Sequence, residues 1–203
     1  MDNQLDFYLQ RMKQQCAIRD AKYWDVKLEQ GEILTTCNEK FFSIRTKDGF
    51  NIRIEFMNRG FGPVFFNGYV SLPFTPNLYH LVSWARENPG YDNMNYEVDL
   101  NVEFTWCDEN ILQFGWDHAH CWDADFGRPL SSQEEQHVSG PVQVLEEARG
   151  VITGMKAKEK RMILQKIDEK LEIVDTIREE LMMETCHPRR IAAWAAAEFD
   201  PFA

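Results

Sequence analysis

Cysteine is scarce and unpatterned in this chain. Cys16, Cys37, Cys107, Cys121 and Cys186 are odd in number and scattered, with no Cys-x-x-Cys pair. That argues against a disulfide framework and against a zinc finger, and fits a reduced intracellular setting. Long apolar runs are absent too: no stretch approaches the roughly eighteen apolar residues that span a bilayer, so no membrane segment is expected. The opening Met1-Asp2-Asn3-Gln4-Leu5-Asp6 lacks the basic and apolar regions of a signal peptide, and a cytoplasmic protein is expected.

Basic residues are missing from one region in particular. Between positions 87 and 135, twelve Asp and Glu stand against Arg128 alone, an imbalance equal to the net charge of −11 of the whole chain. Such a field repels nucleic-acid phosphate and attracts cations or a basic protein surface. Direct nucleic-acid binding is therefore not expected. What the chain does have is ordinary apolar content and generous aromatic content, 13% over 203 residues. That is enough for one sizeable core with an appended helical arm.

Hydrophobic periodicity gives an α+β reading. Leu5, Tyr8, Leu9, Met12, Cys16 and Ile18 form a helical stripe, which predicts a helix over 6–30 covering one face of a sheet. Strands follow over 41–45 and 50–56, joined at Lys47-Asp48-Gly49, then over 64–72 after a turn at Asn58-Arg59-Gly60-Phe61-Gly62-Pro63. Pro63 removes an amide donor from that turn and no lysine follows it, so it is no phosphate-binding loop. A short helix is expected over 78–87. Residues 96–106 alternate, with Val98, Leu100, Val102 and Phe104 on one side and Glu97, Asp99, Asn101 and Glu103 on the other, which predicts another strand before one over 111–116. The expectation is an antiparallel sheet of about five strands.

A polar loop over 126–140 leads to the longest periodic segment, 141–184. There Leu164, Ile167, Leu171, Val174, Ile177 and Leu181 keep three-and-four spacing. Gly150 and Gly154 suggest a close crossing or a break near Ala157, and the basic run Lys156, Lys158, Lys160 and Arg161 reads as a solvated face. Pro188 starts a short helix over 188–198 before a Phe199-Asp200-Pro201-Phe202 tail. The domains expected are a sheet domain over 1–140 and a helical region over 141–203. So long a helix exceeds what a small domain can cover, and a homodimer through it is expected.

The densest chemistry lies in Gly115-Trp116-Asp117-His118-Ala119-His120-Cys121-Trp122-Asp123-Ala124-Asp125, just past a strand end, where loops on a rigid sheet commonly carry function. Asp117, His120 and Asp123 are candidate ligands for zinc, manganese or iron, with His118, Cys121 and Asp125 as alternates. An open coordination position on such a metal would activate water. The competing reading is a turn whose aspartates cap backbone donors. Cys121 as a nucleophile beside His120 is disfavoured, because neighbours on a strand point to opposite faces.

Gly68-Tyr69-Val70-Ser71-Leu72-Pro73, Leu78-Tyr79, Tyr91-Asp92, Val98-Asp99-Leu100 and Gly115-Trp116-Asp117-x-Ala119-His120-x-x-Asp123 recur in an order that resembles an uncharacterised protein family found mostly in bacteriophages and other viruses. Its pattern runs Gly-Tyr-Val-x-x-Pro-x-x-His-Pro-x-Tyr, then Val-Asp-Val-His-Gly-Gly-Leu-Thr, then Gly-Phe-Asp-x-Ala-His-x-x-Asp. The resemblance covers about residues 50–157, with Val144-Leu145-Glu146-Glu147 matching a helical region. This chain departs where the family has His-Pro (Pro76-Asn77 here) and His-Gly-Gly-Leu-Thr (Asn101-Val102-Glu103-Phe104-Thr105 here). The resemblance implies a viral accessory role in the host cytoplasm and no particular reaction.

Three functions follow. The first is a non-enzymatic viral binding protein whose acidic face (Glu97, Asp99, Glu103, Asp108, Asp117, Asp123, Asp125, with Trp116) engages a basic host protein, such as a nucleic-acid-handling defence enzyme. The second is a metal-dependent hydrolase centred on Asp117, His120 and Asp123. The third sequesters a nucleotide-like signal by stacking on Trp106, Trp116 and Trp122.

Overall fold

The structure, a computed structural model, describes residues 2–60, 62–97, 102–120, 123–131 and 137–185. Its elements are α1 (Asp2–Gln14), β1 (Ile33–Cys37), β2 (Phe41–Arg45), β3 (Asn51–Met57), β4 (Phe65–Ser71), α2 (Tyr79–Glu87), α3 (Tyr91–Glu97), β5 (Trp106–Asp108), β6 (Gln113–Trp116) and α4 (Pro141–Thr185). The six strands form one antiparallel sheet in the order β1-β2-β3-β4-β6-β5. The α+β architecture read from the sequence is the one observed, with one strand more than expected.

Alternation makes the sheet one-sided. Ile52, Ile54 and Phe56 of β3 and Phe66 and Val70 of β4 are buried, while the residues between them are half-exposed. The buried side meets Leu5, Tyr8, Leu9 and Met12 of α1 and Val144, Leu145, Ala148, Val151, Ile152 and Met155 of α4, each set at helical spacing. Phe126 sits among Trp24, Phe66 and Tyr23 at ring separations of 5.9, 5.4 and 6.2 Å. Arg149 ties α4 down: its guanidinium donates to Glu32 Oε2 at 2.7 Å and to the Lys27 carbonyl at 2.8 Å.

Residues 1–159 form one compact unit and residues from Lys160 a second. In the second, Leu164, Ile167, Leu171, Val174, Ile177 and Leu181 are all exposed. α4 is one unbroken helix, so the expected break near Ala157 does not occur. Gly150 faces open space, so no close crossing requires it.

Two expectations are corrected. The first helix ends at Gln14 and not near residue 30. Arg19 caps it by donating to the Cys16 and Gln14 carbonyls, and the Ala17 amide donates to the Phe126 carbonyl at 2.7 Å, pulling the chain off the helix axis. Asp20 then caps a single 3₁₀ turn, Ala21–Tyr23. The second correction concerns 96–106: residues 91–97 are α3, and among the described residues of that span strand structure starts only at Trp106. The Asn95 amide takes the place of a strand partner, accepting from the Phe104 amide at 2.9 Å and donating to its carbonyl at 3.2 Å. Phe104 is thereby satisfied and buried without a ladder. Val98, Asp99, Leu100, the helix expected over 188–198 and the aromatic tail lie outside the described residues.

Candidate functional site

The Gly-Tyr and Gly-Trp pairs noticed in the sequence meet across the sheet. In the β4–β6 ladder Gly68 stands opposite Trp116, and Tyr69 opposite Gly115. On the core side the Trp116 indole lies against Gly68, where a Cβ would overlap it. On the other side the Tyr69 ring lies against Gly115. Each glycine makes room for an aromatic ring on its neighbour, which is a requirement of close approach and not of backbone conformation.

Trp116 is only 3% exposed, so its ring serves the core and offers no surface to a partner. Its Nε1 donates to Glu147 Oε2 at 2.9 Å, and the same oxygen lies 2.8 Å from His118 Nε2. One α4 carboxylate thus gathers two side chains from the end of β6 and sets the direction in which the following loop leaves the sheet. Charge-assisted bonds of this kind are stronger than neutral ones.

The aspartates of the dense stretch shape the loop. Asp117 Oδ1 accepts from the Ala119 amide at 3.1 Å and Oδ2 from Thr105 Oγ1 at 3.0 Å. Asp123 Oδ2 accepts from the His120 amide at 3.0 Å and also lies 3.0 Å from His120 Nδ1. Asp125 Oδ1 accepts from the Val64 and Gly127 amides, both at 2.8 Å, and so ties the loop to the start of β4. These are the local side-chain-to-backbone bonds typical of turns. Of the metal candidates, His120 and Asp123 come together, while Asp117 turns to Thr105 and Ala119. Among the described residues no three His, Cys, Asp or Glu side chains converge on a common point.

Cys121, Trp122 and Asp99 lie outside the described residues, as does the Glu97 side chain. The cysteines that are described are unsuited to nucleophilic work. Burial pushes the Cys16 thiol up to about 12 and also raises Cys37 and Cys107.

The acidic surface is carried by other residues than the dense stretch. Glu87, Asp92, Glu103 and Glu109 are exposed, and Asp108 is half-buried with Oδ1 accepting from the Asn110 amide at 3.0 Å. Sequence reasoning named Glu103 and Asp108 but gave no weight to Glu87, Asp92 or Glu109, which alternation cannot single out. It also missed Arg53, Asn67 and Gln113. They hold the outward positions of β3, β4 and β6, where polar residues read as ordinary solvent-facing ones.

Comparison of the chain with protein-family models, curated proteins and solved structures finds no match. Among the described residues no helix is long and apolar enough to cross a membrane.

Proposed function

We propose that this is a non-enzymatic binding protein whose acidic segment takes up a basic protein surface. The observation that carries the reading is the concentration of charge. The imbalance between residues 87 and 135 equals that of the whole chain, and Glu87, Asp92, Glu103 and Glu109 are exposed. Complementary charge speeds and orients encounter with a basic partner and disfavours nucleic acid. The phage-family resemblance suggests where such a partner comes from: a host protein, with a nucleic-acid-handling defence enzyme as the most basic class at hand. Charge reversal at Glu87, Glu103 and Glu109, followed by capture from host lysate, tests the reading.

The same proposal makes the protein a homodimer. From Lys160 five of the exposed apolar residues repeat in sevens, Leu164 and Leu171 in one row and Ile167, Val174 and Leu181 in the other, while Ile173, Ile177, Met182 and Met183 lie off these rows. That is the seam of a two-stranded coiled coil. In a parallel pair Lys170 of one copy falls beside Asp175 of the other, at positions flanking the seam, where opposite charges attract. Arg178 interrupts one row and lowers the affinity of the pair.

The hydrolase alternative asks Asp117, His120 and Asp123 to share one ion, and in the structure the two carboxylates accept from neighbouring amides and from the Thr105 hydroxyl instead. It stands second for that reason.

A further inference from the structure

A recess of about 440 Å³ lies on the side of the sheet away from the core, lined from β3, β4, β5 and β6 and by Thr105 and Asp117 next to the last two strands. One cross-strand row builds it: Arg53 pairs with Tyr69, Tyr69 with Gly115, and Gly115 with Trp106. Because Gly115 has no side chain, the Tyr69 and Trp106 rings meet over it, edge to face, at 5.6 Å and 88°. Asn67, Thr105, Gln113 and Asp117 supply the polar edge. The volume falls in the roughly 300–1,000 Å³ range of small-molecule sites.

The recess is nearly neutral in effect. Its one cation, Arg53, lies over the Phe41 ring at 4.1 Å and gives Nη2 to Glu55 at 3.1 Å. Asp117 sits on the opposite edge with Thr105. A phosphate here would face two carboxylates and an arginine already engaged, so a phosphorylated ligand is disfavoured.

Two atoms of this recess's own side chains are left over. Arg53 Nε, a donor, and Asn67 Oδ1, an acceptor, are buried with no partner. Both lie behind the wall of the recess, out of a ligand's reach; at its opening Thr105 Oγ1, which donates to Asp117, and the Gln113 amide, which donates to Ser71 Oγ, keep free lone pairs and a second N–H, which suit a ligand that can both donate and accept. Hydroxyl groups do. Trp106 is 41% exposed, so its ring offers an apolar face at the rim of an otherwise hydrogen-bonding surface.

We propose that this recess binds an uncharged sugar, with Trp106 as the platform for its C–H face and Thr105 and Gln113 hydrogen-bonding its hydroxyls. The site is separate from the carboxylates Glu87, Glu103 and Glu109 and stands whether or not they bind a protein.

The test is a titration of the full-length protein followed by NMR at the Trp106 indole N–H. The probes are glucose, galactose, mannose and N-acetylglucosamine, with adenosine and AMP as comparisons. The expected result is a saturable shift with at least one sugar, at an affinity at least about tenfold weaker in Gln113→Ala by the same signal and in Trp106→Ala, which lacks that signal, by titration calorimetry, both at an unchanged unfolding midpoint. If Trp106→Ala does not fold, Gln113→Ala carries the comparison through the intact indole signal. No shift with any of the four sugars, a shift with adenosine or AMP alone, or sugar binding unchanged in Gln113→Ala would overturn the assignment.

Discussion

Gly115 faces Tyr69 directly across the β4–β6 ladder, and a Cβ built on Gly115 would lie 2.6 Å from the tyrosine ring. One step along, Gly68 and Trp116 repeat the arrangement on the opposite side of the sheet. The two dipeptides are 47 residues apart in the chain yet form a single interlocked unit, with one aromatic ring serving the core and the other the outer recess.

Substituting Gly68 with alanine forces the Trp116 indole off Gly68 and strains its bond to Glu147. We expect a loss of about 2–3 kcal/mol in urea unfolding, at the upper end for overpacking. Gly115→Ala displaces Tyr69 on the half-exposed side, where there is room to shift, and should cost less, about 1 kcal/mol. Equal effects would show that the two sides of the ladder are not packed as described.

The Glu32–Arg149 pair sets an acid limit on stability. Burial alone would raise the Glu32 pKa, but hydrogen bonds and charge from Arg149, with an added backbone bond at Glu29, bring it below its ordinary value of 4.5. A carboxyl lowered on folding contributes stability that is present above its unfolded pKa and lost as pH falls through the folded one. The wild-type unfolding midpoint should therefore drop as pH falls below about 4.5, more steeply than that of Glu32→Gln, which should already be less stable at pH 7 by about 1–3 kcal/mol. Parallel pH profiles for the two proteins would remove the pair from the account.

Leu171→Glu places a charge in the apolar row of the second unit. Light scattering should then give a monomer mass where the wild type gives a dimer, with the thermal transition of residues 1–159 unchanged. A monomeric wild type would end the coiled-coil proposal.

Much of the fold was legible because the sheet is buried on one side only. Where one face is dry, the period of two survives in the sequence, and β2, β3 and β4 stand close to where alternation predicts them. The long helix was legible for the matching reason at a period of 3.6. The misread segments are those where tertiary bonds decide. Ala17 leaves the first helix for the Phe126 carbonyl, and Asn95 supplies by side chain what a strand partner would have supplied to Phe104. The Asp-His stretch was legible as dense chemistry, but not the use of its carboxylates, since an aspartate that caps an amide and one that binds a metal look alike in sequence. The recess residues were hidden in another way. Arg53, Asn67 and Gln113 occupy the outward half of an ordinary alternation, and only strand register brings them to one place.

The central claim is that the acidic surface captures a basic protein. The direct measurement is affinity capture from host lysate by the wild type and by the Glu87→Lys, Glu103→Lys, Glu109→Lys triple variant, with bound proteins quantified by mass spectrometry at low and at moderate salt. The account predicts that the wild type enriches a discrete basic protein, less so as salt rises, and that the variant loses it while keeping the wild-type melting temperature. Capture by the folded variant at the wild-type level would contradict the account.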